Sequence, residues 1–321
     1  LTSGPRERLR QLLYRAGDRL APGAGLDGVE RSLVWIFGSP RSGSSWLLRL
    51  IGDLDPRVVT IDEVILGAHL GLFVSELIGA PTVAAPGGEA LVADFMSERS
   101  DYFFSDRFRP SWQPQLRRLI LSRIAAQLAA ANSTAPIAER IALIKEPNGT
   151  EGVGLLTRTL PASRMIFLLR DGRDVVDSML DGISGQGWVA ATNKLGGGLE
   201  SADRLHFTRG QSRRWVARTE AVLAAIKSRP PELSLQVRYE DMLTDAVAEL
   251  SRVTEWLGLD APKDRVREVS ERLAFTEMSE RGSGKFHRAA TPGLWRQNLS
   301  AAEQEAANQT MGPTLRALGY E

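Results

Sequence analysis

The sequence predicts a three-layer α/β/α fold of P-loop type, with a central parallel sheet and a helical insertion. Three observations point there. Short apolar runs of strand length recur along the chain, helix-like segments separate them, and a Gly/Ser-rich loop directly follows the first run. Runs without polar alternation fit strands buried on both faces, the condition of a parallel sheet covered by helices. With 321 residues, 43% hydrophobic and 25% charged, the chain is expected to form a single domain over residues 1–321.

In chain order, Leu9, Leu12, Leu13, Ala16 and Leu20 keep helical spacing between Arg6 and Leu20, and Arg8, Arg10, Arg15 and Arg19 fall mostly on other faces. Residues 1–30 are therefore read as a helical extension. A basic amphipathic helix can lie on a membrane, but packing on the domain is the simpler expectation. Pro22-Gly23-Ala24-Gly25 breaks the helix, and Leu33 to Phe37 reads as the first buried strand. Residues 67–132 hold helical patterns around Leu70–Leu77, Ala90–Met96 and Leu116–Leu128, broken by Pro81, Pro86, Pro110 and Pro114. An insertion of this kind between strands is where an α/β protein builds a lid or a substrate wall. Its aromatics Tyr102, Phe103, Phe104, Phe108 and Trp112 line a pocket or belong to the core. Further strands are expected at Ile141–Ile144, Met165–Leu169 and Ser234–Val237. Gly182, Gly185, Gly187 and the run Gly196-Gly197-Gly198 suggest a mobile loop that closes over substrate.

Composition removes several classes of function. The net charge of +1 gives no global field for nucleic acid or anionic membrane, so anion binding must come from local clusters. No basic run with interleaved aromatics supports nucleic-acid binding. Without cysteine there is no thiol nucleophile or Cys-based zinc site, and His69, His206 and His287 are too far apart for a paired-histidine motif; no metal is expected. No run approaches the ~18 apolar residues of a membrane span, and no signal-peptide order is seen, so a cytoplasmic protein without stable membrane insertion is expected. Because the first residue is Leu1, a targeting segment upstream stays open.

The strongest signal is Gly38-Ser39-Pro40-Arg41-Ser42-Gly43-Ser44-Ser45-Trp46, placed between the first strand and an apolar helix with Leu47, Leu48, Leu50 and Ile51. A strand, a Gly-rich loop and a helix in that order aim backbone N–H groups and the positive helix end at one anion. The Gly38-x4-Gly43 spacing matches the phosphate loop of nucleotide hydrolases, yet Ser44 stands where they carry lysine and the cation sits earlier, at Arg41. Arg170 follows Leu168-Leu169, where a triphosphatase would need a Mg²⁺-holding acid. A P-loop kinase is the alternative enzyme, and a nucleotide-binding module without turnover the non-enzymatic one.

Pro40-Arg41-Ser42-Gly43-Ser44-Ser45-Trp46 resembles the 5′-phosphosulfate loop of sulfotransferases that use 3′-phosphoadenosine 5′-phosphosulfate (PAPS), in the Pro-Arg-Ser-Gly form of bacterial and protein-tyrosine branches. Arg170 to Ser178 resembles their 3′-phosphate motif, Arg238-Tyr239-Glu240-Asp241 their late Tyr-Glu-Asp segment, and Arg288, Gly293 and Trp295 their C-terminal Arg-x4-Gly-x-Trp signature. The resemblance implies PAPS as sulfuryl donor, adenosine 3′,5′-bisphosphate (PAP) as product, and no metal. It implies that Trp46 stacks on the adenine with Tyr239 near the same base, a contact worth ~1–3 kcal/mol; core roles are the other reading of both rings. A donor with two separated anionic groups needs two anion sites. The loop after Phe37 supplies one. Arg170 supplies the other through paired hydrogen bonds, with Ser178 and Arg288 closing it; salt bridges to Asp171, Asp174 or Asp177 are the other reading of Arg170 and Arg173.

Sulfuryl transfer demands an in-line nucleophile and stabilised charge on the leaving phosphate oxygen. Arg41 is placed for that charge, and Ser44 and Ser45 for the 5′-phosphate or sulfuryl oxygens. The histidine base of the familiar cytosolic branch has no counterpart in Ile144-Lys145-Glu146-Pro147-Asn148. Lys145 either neutralises the transferring group or is a strand-end surface lysine. By resemblance of Leu54-Asp55-Pro56-Arg57-Val58 to the His-Pro segment of the branch sharing Pro-Arg-Ser-Gly, Glu63 is the first candidate for general base and Glu146 the second. The acceptor is expected to be a small molecule, carbohydrate or lipid, and the protein a monomer or homodimer.

Overall fold

A computed structural model of the protein describes residues 24–64, 105–183, 201–273 and 291–321. The expected helices at 6–20, 70–77 and 90–96, Tyr102 to Phe104, the glycines from Gly185 to Gly198, His69, His287 and Arg288 lie outside the described residues.

Five strands form one sheet: β1 (Leu33–Gly38), β2 (Val58–Ile61), β3 (Ile141–Lys145), β4 (Arg164–Leu169) and β5 (Ser234–Arg238). The order is β2-β3-β1-β4-β5 and every described pairing is parallel. β1 is central, with Ile36 opposite Lys145 of β3 on one side and Ile166 of β4 on the other. The described helices are α1 (Ala24–Ser32), α2 (Ser44–Gly52), α3 (Arg109–Ala130), α4 (Val153–Thr159), α5 (Gly172–Ile183), α6 (Ser201–Lys227), α7 (Tyr239–Thr244), α8 (Ala246–Leu257), α9 (Lys263–Arg272), α10 (Trp295–Asn298) and α11 (Ala301–Ala317).

Side chains of a strand alternate between faces, and here both faces are apolar. Val34 and Ile36 of β1 join a cluster with Leu47, Leu50 and Ile51 of α2, Leu250 and Val253 of α8, and Val269 of α9. Leu33, Trp35 and Phe37 join the opposite cluster, with Leu121 and Ile124 of α3, Val176 and Leu180 of α5, Trp215 and Val222 of α6, and Met311 of α11. Burying each such side chain contributes about 1.5–3 kcal/mol. The consequence for the site is geometric. The helix after β1 lies on one face of the sheet and the helix after β4 on the other, so the two loops diverge from adjacent strand ends. That is the switch point at which open α/β sheets leave a crevice.

Two expectations change. α3 continues through Pro114 instead of breaking there. Pro110 sits in the first turn, where a backbone N–H would have no helical partner and its absence costs nothing, and Pro114 forfeits only the bond back to that turn. α3 also serves as a core layer: Trp112 is 9% exposed and donates its indole N–H to Ser105 O at 2.9 Å, while Phe108 is 48% exposed. The short strand β2 was not marked by its sequence, four residues interrupted by exposed Thr60.

Candidate active site

The loop from Gly38 to Ser45 takes its shape from two glycines and one strained arginine. Gly38 has φ 151°, and a Cβ there would stand 2.3 Å from Leu168 O of the neighbouring strand. Gly43 caps α2 in the left-handed region at φ 93°, and a Cβ would meet the Tyr239 ring at 2.6 Å. Arg41 is the one non-glycine with positive φ among the described residues, at 71°. Such a backbone costs on the order of 1 kcal/mol and persists only where surroundings enforce it. They do: Arg170 Nη1 donates to Arg41 O at 2.7 Å, and Arg41 Nε donates to Ser178 Oγ at 3.0 Å. Behind the loop, Thr150 Oγ1 accepts from Gly38 N at 3.1 Å and donates to Gly38 O at 2.7 Å, tying the end of β1 to the segment after β3.

This geometry joins the two expected anion sites through direct contacts. Arg41 and Ser178 touch, although 137 residues separate them. Burial, followed by the nearby Arg170 guanidinium, lowers the Arg41 pKa below the usual arginine value, with Asp181 and Tyr239 opposing. Two partly buried cations held together favour an anion between them. Three buried polar atoms here have no hydrogen-bond partner: Ser39 Oγ, Ser42 Oγ and Arg170 Nε. Buried donors are rarely left unmatched, because each costs about 1–3 kcal/mol. The residues present therefore fit a ligand with hydrogen-bond-accepting oxygens.

The arginines of the second loop divide. Arg173 is structural: it pairs with Asp171 at 2.8 Å and lies over the Trp295 ring at 4.2 Å. Arg170 pairs with no carboxylate among the described residues; its guanidinium covers the Tyr239 ring at 4.4 Å. On α5, Asp174 accepts from Gly293 N at 2.8 Å and Trp295 N at 3.3 Å, and Asp177 accepts from Asn298 Nδ2 at 2.9 Å. These carboxylates dock the chain that follows Arg288 onto the Arg170 helix. Burial is the main reason the Asp174 pKa is raised, despite those two N–H donors.

Trp46 and Tyr239 are both core residues, 4% and 2% exposed. The Trp46 indole N–H donates to Leu273 O at 2.8 Å, and its ring meets Tyr239 edge-on at 6.1 Å. In this placement Tyr239 supports Gly43 from below and Arg170 from the side. Burial raises its hydroxyl pKa.

At the other end of the crevice, Lys145 is 7% exposed, which excludes the surface-lysine reading. Its Nζ donates to Ser45 Oγ at 2.9 Å, pairs with Asp62 at 2.7 Å and lies 3.8 Å from Glu63. Burial pushes the Asp62 pKa up, but the Lys145 hydrogen bond and charge outweigh it and hold the carboxyl below its ordinary value. Asn148 Nδ2 donates to both Glu63 oxygens at 2.8 Å. Glu146 is 0% exposed, while the Glu63 side chain is 27% exposed. Of these two carboxylates, Glu63 is the one open to solvent.

Arg41, Ser42, Gly43, Ser44, Ser45, Lys145, Glu63, Arg170 and Ser178 thus lie along the C-terminal edge of β1 to β4. Sequence reasoning missed Thr150, Asn148 and the pairing of Asp62 with Lys145. Each depends on β3 lying beside β1 or β2, which no local pattern announces. Among the described residues no group of side chains could hold a metal ion, and no helix is long and apolar enough to cross a membrane.

Comparison with known proteins bears on this arrangement. The fold resembles that of mouse sulfotransferase SULT7A1 complexed with PAP, at 14% identity and a TM-score of 0.55, covering 89% of this chain and 85% of that one. It also resembles sulfotransferase STF9 from Mycobacterium avium, at 16% identity and a TM-score of 0.52, covering 98% of this chain and 83% of that one. No curated relative matches by sequence. A model of the sulfotransferase family matches residues 34–263, a span that includes both anion-facing loops, Lys145 and Glu63. On that match, the chain belongs to the sulfotransferase family.

Proposed function

We propose that the protein moves the sulfuryl group of PAPS to a hydroxyl or amine of a small-molecule, carbohydrate or lipid acceptor by in-line transfer. One observation carries the reading. Two cationic loops leave the adjacent ends of β1 and β4, and they hold Ser42 Oγ and Arg170 Nε buried without partners. A ligand with one anionic group would leave one loop unused; a nucleotide with a 5′-phosphosulfate and a 3′-phosphate satisfies both. Arg170 and Ser178, with Arg288, bind the 3′-phosphate, and the N–H groups and hydroxyls from Ser42 to Ser45 bind the 5′ end. The adenine lies toward Trp46 and Tyr239.

The donor supplies an activated sulfur bonded to a good leaving group. The chain's own residues do the rest. Glu63, oriented by Asn148, takes the proton as the acceptor oxygen or nitrogen forms its bond to sulfur. The sulfur–oxygen bond to the 5′-phosphate breaks, and Arg41 stabilises the charge left on that oxygen, acting as a fixed cation because its guanidinium does not give up a proton. Lys145, held at Ser45, neutralises the sulfuryl oxygens in flight. The fully buried Glu146 is left a structural role. We read the chain as one catalytic domain acting in the cytoplasm as a monomer or homodimer.

The test is transfer of labelled sulfur from PAPS to a panel of phenolic, sterol, carbohydrate and amine acceptors without added metal. Glu63→Gln is expected to lower kcat by about 10²–10⁴ while leaving donor affinity within about twofold. Transfer at the wild-type rate by the variant would remove Glu63 from the base role, and ATP-dependent phosphorylation in place of sulfur transfer would remove the donor assignment.

A further inference from the structure

The C-terminal turn of the chain is bonded to the loop that carries Arg170. α11 ends at Ala317 and is closed by two bonds, Gly319 N to Arg316 O at 3.1 Å and Tyr320 N to Leu315 O at 2.9 Å. Gly319 has φ 76°, the left-handed residue this kind of helix end requires. The turn directs Tyr320 back toward the sheet. There its ring lies under the Arg238 guanidinium at 4.2 Å, and Arg238 Nη1 donates to Leu318 O at 2.9 Å.

From that position the Tyr320 hydroxyl donates to Glu240 Oε2 at 3.0 Å, and the other carboxylate oxygen, Oε1, accepts from Asp171 N at 2.9 Å. On the same peptide unit, Arg170 O accepts from Trp215 Nε1 at 3.2 Å. The peptide between Arg170 and Asp171 is therefore fixed at both polar atoms. Its orientation sets where the Arg170 side chain leaves the backbone. Tyr320 is 9% exposed, and burial followed by the Glu240 charge raises its pKa, so it remains a hydrogen-bond donor throughout the working range. Arg173 adds a parallel tie, donating to Glu321 O while pairing with Asp171.

We infer that Tyr320, acting through Glu240, is a positioning residue for the 3′-phosphate site: it fixes the peptide that aims Arg170. This rests on the assignment of Arg170 to the 3′-phosphate. The geometry explains why a residue about 150 positions away in sequence bears on Arg170 without touching it. The function of the pair is to spare the ligand the cost of ordering the loop, the usual benefit of preorganisation.

Equilibrium titration of the full chain with PAP and with adenosine 5′-monophosphate, which lacks the 3′-phosphate, tests the inference. Tyr320→Phe keeps the ring on Arg238 and removes only the hydroxyl. PAP binding is expected to weaken about tenfold and adenosine 5′-monophosphate binding less than twofold. Glu240→Ala is expected to give the same pattern, and the double variant no further loss beyond Glu240→Ala alone, because the tyrosine acts through the carboxylate. Equal losses for both ligands, no loss for PAP, or additive losses in the double variant would each overturn the inference. Failure of the unaltered protein to bind PAP would instead overturn the donor assignment on which it rests.

Discussion

Arg41 has two tasks that its surroundings make compatible. Its left-handed backbone is held by Arg170 through the carbonyl oxygen, and its guanidinium is aimed at Ser178 across the crevice. Arg41→Ala is expected to lower kcat by about 10²–10³, the usual loss for one donor to a developing oxyanion, with donor affinity falling less than tenfold. Pre-steady-state sulfur transfer against donor titration separates the two effects. The places of Arg41 and Arg170 just beyond strand ends were legible in the sequence because each follows an apolar run directly. Asn148 and Thr150 were not. Asn148 bonds Glu63 from 85 residues away, and Thr150 grips Gly38 from 112, so their contacts exist only once β3 has paired with β2 and with β1. The salt-bridge reading holds for Arg173, which pairs with Asp171, while Arg170 pairs with no carboxylate among the described residues.

Among the elements, α11 links stability to pH. Ser300 caps it, its hydroxyl accepting from Glu303 N, while Glu303 accepts from Ser300 N at 2.7 Å and from Arg204 Nε at 2.9 Å. Burial alone would raise the Glu303 pKa, but these donors outweigh it and hold the carboxyl below its ordinary value. A carboxyl with a depressed folded pKa stabilises the fold fully above its unfolded value of 4.5, and that stabilisation is lost as pH falls through the lower folded value. Glu303→Gln is therefore expected to lower Tm by about 2–4 °C at pH 7, corresponding to about 1 kcal/mol, with the gap closing as pH falls below 4.5. A gap that stays constant with pH would assign the loss to packing. Element positions were the most legible feature where the pattern was long: the apolar runs beginning at Leu33, Ile141, Met165 and Ser234 all became strands. β2 escaped because four residues with an exposed Thr60 do not form a continuous apolar run.

At the level of the molecule, strand order converts motifs 129 residues apart, at Arg41 and Arg170, into one crevice. β4 crosses beyond β1 to pair on its far side, and the helices after these two strands occupy opposite faces, so the phosphate loop and the Arg170 loop open toward each other. The sequence implied strands and two anion motifs; their adjacency is a property of the sheet. The same topology places Lys145 and Glu63 at the end of the crevice away from β5. Both loops are proposed to bind one doubly anionic nucleotide. Calorimetric titration with PAP, against ATP, in metal-free buffer tests it most directly. PAP is expected to bind at micromolar concentration or tighter and to be weakened at least about tenfold in Arg170→Ala, since a charge-assisted phosphate contact contributes about 1.5–3 kcal/mol. ATP binding that requires Mg²⁺, with no PAP binding, would contradict it.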